Sequence, residues 1–149
     1  MKIRKISFLL IPFAVLASIV AFAVPAKVTW DMLRDVTFKK KWYESEKIYM
    51  LYPTFGPEVQ KLKNQEINIT GYVLPVDLDA NLYVLSAFPY SSCFFCGGAG
   101  PETVMTLNLK NTALKFKTDD RLTFKGTLNL NADDIYQMNY ILDQAEVVK

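Results

Sequence analysis

The sequence has no histidine in its 149 residues and only two cysteines. Without an imidazole, neither a Ser-His-Asp nor a Cys-His catalytic arrangement can be assembled. Histidine-containing zinc sites and covalent c-type haem attachment are excluded for the same reason. No strong charge of either sign is present: 17 basic residues face 15 acidic ones, a net +2. Lys2, Arg4 and Lys5 supply that excess. Without them the balance is about −1, too little to draw nucleic acid or an anionic membrane through a global field. No cysteine lies near residue 23, so a lipid-anchored lipoprotein is ruled out.

Apolar residues are concentrated at the start. After the basic residues, Ile6 to Val20 is almost unbroken hydrophobic sequence, and Ala21-Phe22-Ala23 follows as a small-x-small site. That order predicts a secretory signal peptide over residues 1–23 and a periplasmic or other extracytoplasmic address. The alternative is an uncleaved membrane anchor, because the apolar stretch runs on to Val24. Pro12 and the terminal alanines favour cleavage. The remainder suffices for one domain with a modest core.

Residues 24–64 read as a polar, aromatic segment with short helical pieces. Trp30, Leu33 and Val36 share one face of a helical turn, and Pro57 opens a short helix through Leu62. Phe38 to Tyr43 alternates lysines with aromatics. This is either a stacking and phosphate-binding surface or, the favoured reading, a segment whose lysines stay in water while its aromatics pack. Residues 65–149 carry five strand patterns: Ile67–Leu74, Leu82–Phe88, Thr103–Leu109, Arg121–Leu130 and Tyr140–Val148. Gly71 and Gly126 interrupt the first and fourth, where a sharp curl is expected. The expectation is a mainly β fold, a small five-stranded OB-like barrel with a short N-terminal helical segment. Lys110 to Asp120 leaves little room for a helix between the third and fourth strands. Asp77/Asp79 and Asp133/Asp134 fit turns better than a calcium site.

Chemistry concentrates in the loop from Tyr90 to Pro101, which contains Cys93-Phe94-Phe95-Cys96-Gly97-Gly98. Three readings stand. As half of a zinc knuckle, Cys93 and Cys96 would hold zinc or copper, since thiolates select such ions, with Gly97 and Gly98 permitting the turn and backbone N–H groups aimed at the sulfurs. The missing ligands would come from Glu102 or Asp77, from a second protomer or from a protein partner. The second reading is thiol-disulfide redox chemistry by the same pair. In the third, a permanent disulfide staples the glycine-rich loop. Phe94 and Phe95 are candidate partner contacts, unless one plugs an end of the barrel.

Trp30-x-x-Leu33, Tyr52-Pro53-Thr54-Phe55, Ile69-Thr70-Gly71-Tyr72-Val73-Leu74-Pro75 and the Cys93-to-Glu102 loop together resemble an exported bacterial domain-of-unknown-function family, family 3299. The likeness covers most of the chain after residue 23. It implies export, an OB-like barrel and a periplasmic accessory role, and for some relatives an association with metal uptake. The expectation is an exported accessory or binding protein, more a binder than an enzyme, working with a protein partner or as a homodimer. Nucleic acid is not expected, and membrane contact would come only through an uncleaved N-terminus.

Overall fold

A computed structural model describes residues 25–148. The signal-sequence reading of residues 1–23 lies outside them. Among the described residues, no helix is long and apolar enough to cross a membrane.

Five strands close into a barrel: β4 (Glu66–Asp77), β5 (Leu82–Ser86), β6 (Val104–Leu109), β7 (Arg121–Leu130) and β8 (Tyr140–Val147). Their order is β4-β5-β6-β8-β7, and β7 returns to pair with β4. Only β6 and β8 run parallel within this ring. This is the connectivity of an OB barrel. Earlier in the chain, β1 (Ala26–Lys27) adds to β4 in parallel, and α1 (Pro57–Leu62) leads into β4.

Closure depends on β4 serving two neighbours. Its first half, Glu66 to Tyr72, pairs with β7, and its second half, Tyr72 to Asp77, pairs with β5. Gly71 stands at the handover, where a Cβ would lie 2.6 Å from the Ser86 carbonyl oxygen. Gly126 meets the same restriction on β7, 2.7 Å from the Asp143 carbonyl oxygen. Both glycines are therefore close-approach positions that let the sheet curl.

Alternation on these strands makes two apolar clusters. Inside the barrel lie Ile67, Ile69, Tyr83, Leu85, Met105 and Phe124, all at most 1 % exposed. On the opposite face of β4, β5 and β6, a second cluster gathers Leu74, Val84 and Val104 with Cys93. The segment from Lys110 to Asp120 contains no helix, as its length implied.

Residues 24–64 depart from the sequence reading. Short helical pieces occur at Trp30–Arg34 and at α1, as expected. Between them, β2 (Val36–Tyr43) and β3 (Ile48–Phe55) form a separate antiparallel hairpin, in register from Val36↔Phe55 to Trp42↔Tyr49 and Tyr43↔Ile48. Its root is pinned. The Gly56 N–H donates to the Asp35 carbonyl at 2.7 Å, and the Phe55 ring lies 5.7 Å from that of Tyr140. The turn Glu44-Ser45-Glu46-Lys47 contains none of the Gly or Asn residues that mark a hairpin, and Lys47 itself takes the left-handed conformation at φ 54°. That is why the strands went unannounced.

Candidate functional site

The Tyr90–Pro101 loop joins β5 to β6 and folds back over the outside of the barrel wall. Two short 3-10 turns build it, Tyr90–Ser92 and Phe94–Cys96, and Cys93 is the junction between them. Cys93 is completely buried against Leu74, Val84 and Val104, whereas Cys96 is exposed. Gly97 ends the second turn at φ +74°, and at Gly98 a Cβ would come within 2.6 Å of the Ser92 carbonyl oxygen. Each glycine thus answers to a local constraint, one conformational and one steric.

Both cysteines are free thiols. The loop's backbone N–H groups do not aim at them. Those of Cys96 and Gly98 donate to the Cys93 carbonyl, both at 3.2 Å, and that of Gly97 donates to the Phe94 carbonyl at 3.0 Å. The expected N–H cradle for thiolate is therefore absent from this loop, its donors consumed by turn formation. The Cys96 thiol is instead raised above its ordinary value, first by desolvation, then by charge and hydrogen bonding from Cys93.

Glu102 does not join them as a metal-holding group. Its carboxylate folds back against Gly100, close enough that a Cβ there would overlap it. It also lies near enough to raise the buried Tyr140 hydroxyl, after desolvation and together with Asp35. Asp77 is engaged in its own turn, accepting from the N–H groups of Asp79 and Ala80 at 2.9 Å each. Asp134 does likewise with the N–H of Tyr136, while Asn131 Oδ1 accepts from those of Asp133 and Asp134. Among the described residues, no group of three or more Cys, Asp or Glu side chains is placed to hold a metal ion. The two sulfurs alone do not make a zinc site, which takes four ligands.

Phe94 is half-buried on the second cluster with Met138, and Phe95 is 44 % exposed with its ring 5.6 Å from that of Phe94. Neither plugs the end of the barrel. The loop covers the wall formed by β5 and β6, and the β7–β8 connection covers it from the other side, tied down by the Met138 N–H donating to Thr106 Oγ1 at 3.1 Å. In OB barrels this wall is the usual seat for oligonucleotides and oligosaccharides. Here the chain's own loops occupy it.

An apolar groove of about 420 Å³ remains where the hairpin meets these loops, walled by Tyr43, Met50, Phe94, Ile135, Tyr136 and Met138. Sequence reasoning missed its hairpin and β7–β8 walls. The only available signal was the alternation of Phe38 to Tyr43, which was consistent with a strand.

No protein-family model matches the chain. No curated protein matches it. Among solved structures, it is similar to the crystal structure of a DUF3299 family protein from Pseudomonas aeruginosa PAO1. Identity is 15 %, the TM-score is 0.49, and the match covers 85 % of this chain and 98 % of that one. The motifs noted in the sequence resemble the same family.

Proposed function

We propose that this chain is an exported accessory protein whose cysteine loop exchanges disulfides with a protein partner. The observation that carries this reading is the unequal placement of the pair: Cys96 in solvent, Cys93 buried directly behind it and sensed by it. The exchange has a defined order. The Cys96 thiolate attacks one sulfur of a partner disulfide, a mixed disulfide forms and a partner thiolate leaves. The Cys93 sulfur then attacks Cys96, the second partner thiol is released, and a Cys93–Cys96 disulfide remains. The partner is reduced and the loop oxidised by the same two electrons.

The Cys96 thiol is raised above its ordinary value, first by desolvation and then by Cys93, so attack by its thiolate quickens as pH rises. Titration of the full chain against glutathione redox buffers, with alkylation and intact mass as readout, tests the exchange. The expected result is a single two-electron transition between the dithiol and the Cys93–Cys96 disulfide, within the range that glutathione buffers span. Persistence of two free thiols under fully oxidising buffer would overturn the reading.

The exposure of Cys96 also supports a second reading. A thiophilic ion, zinc or copper, would bind there only with ligands supplied by a partner, because the described residues bring no third one. It predicts a metal adduct in the complex that Cys96→Ser abolishes.

A further inference from the structure

The two faces of the β2–β3 hairpin differ in their surroundings. On one, Tyr43, Ile48 and Met50 help wall the groove beside Phe94 and the β7–β8 connection. On the other, Trp42, Tyr49 and Leu51 are 43, 70 and 46 % exposed, with Tyr49 and Leu51 also reaching the rim of the groove. The Trp42 and Tyr49 rings meet edge to face at 4.9 Å and form one aromatic plate. Lys40 stands beside it, opposite Leu51. Lys39 and Lys41 project from the other face of β2, an edge strand, where the Lys41 ammonium lies 4.4 Å from the centre of the Tyr52 ring.

The charge on this arm is not balanced locally. Lys39, Lys40 and Lys41 are exposed and make no ion pair among the described residues. The arm also carries two acidic groups, of which Glu44 is ion-paired with Lys47. Glu44 accepts from Lys47 and from Trp42 Nε1, and Glu46 accepts from the Tyr136 hydroxyl at 3.2 Å. What remains is an aromatic plate with Lys40 on its own face, and Lys39 and Lys41 on the opposite face of the same edge strand.

We propose that this open face docks on the surface of an anionic phospholipid bilayer. Trp and Tyr partition to the headgroup boundary, and lysines clustered beside them pair with lipid phosphates. Strand addition by a partner protein fits less well: lysines line the β2 edge, and Pro53 interrupts the ladder of β3. Docking through this face would not require residues 1–23. The site is separate from the cysteine pair.

The test reads Trp42 directly. The full chain is reconstituted into vesicles carrying brominated lipid, either phosphatidylglycerol-rich or pure phosphatidylcholine, so that any N-terminal insertion is common to both. Trp42 fluorescence is taken as wild type minus Trp42→Phe. Lipid quenching on the anionic vesicles alone, relieved at about 0.5 M salt, is the expected result. A triple Lys39→Gln, Lys40→Gln, Lys41→Gln variant should weaken the docking roughly a hundredfold, at about fivefold per lysine. Trp42 equally open to aqueous acrylamide on both vesicle types would overturn the proposal. So would a photo-crosslinker at position 42 that captures protein in cells while the vesicles leave Trp42 unquenched, since the face would then belong to a protein partner.

Discussion

The barrel and the β2–β3 arm are built from the same alternation but use it oppositely. In the barrel, each strand has a neighbour on both sides, and its inward residues are removed from water. In the arm, two strands pair only with each other, and the face of the tip carrying Trp42 remains open. Burial of apolar area is what stabilises a sheet, so the barrel holds the fold. The arm, pinned at its root by Asp35 and Phe55, is free to present side chains. The cysteine loop lies between these extremes, one sulfur in the barrel's outer cluster and one in solvent.

The sharpest way to break this contrast is paired truncation. Phe124→Ala, inside the barrel, should cost about 3–5 kcal/mol, enough to unfold much of the population. Tyr49→Ala on the arm should stay within about 0.5 kcal/mol. Urea denaturation measures both, and comparable losses would mean that the arm is part of the core. Next in size is Gly71→Val, which forces a side chain against the Ser86 carbonyl and should cost about 1–3 kcal/mol by the same assay.

The two cysteines sharpen the comparison on a finer scale. Cys93→Ser puts a hydroxyl among Leu74, Val84 and Val104 and should destabilise by about 1–3 kcal/mol, whereas Cys96→Ser should be nearly neutral. A more modest loss is expected at Tyr140, whose buried hydroxyl donates to the Leu33 carbonyl at 2.6 Å. Tyr140→Phe should cost about 1 kcal/mol at neutral pH. Burial raises the native Tyr140 hydroxyl well above the ordinary tyrosine value. The native state therefore keeps a proton that the unfolded chain loses, and this contribution is intact below about pH 10 and falls as pH rises further. Stability curves of wild type and Tyr140→Phe should accordingly converge at alkaline pH.

The barrel was readable because its code is local and repeated. Ile67, Ile69, Gly71 and Val73 set the period and the curl within one strand, and the same pattern recurs with Gly126 on β7. The hairpin was not, because its turn lacks the residues that usually force one and its exposed aromatics look like a loop. Cys93 and Cys96 were identifiable as a pair. Their unequal burial was not, because it arises only when the loop lies back on Leu74, Val84 and Val104, residues far along the chain or on neighbouring strands. The pairing of turn N–H groups with carbonyls rather than with sulfur likewise depends on the loop's three-dimensional path.

The most direct test of the cysteine assignment is the order of attack, followed with oxidised glutathione as the disulfide. The account predicts that Cys93→Ala accumulates a stable glutathione adduct on Cys96, and that Cys96→Ala reacts far more slowly. The wild type should pass through the adduct to a Cys93–Cys96 disulfide, at a rate that climbs with pH as the raised Cys96 thiol ionises. A glutathione adduct that persists on Cys96 in the wild type, with Cys93 never displacing it, would contradict the account.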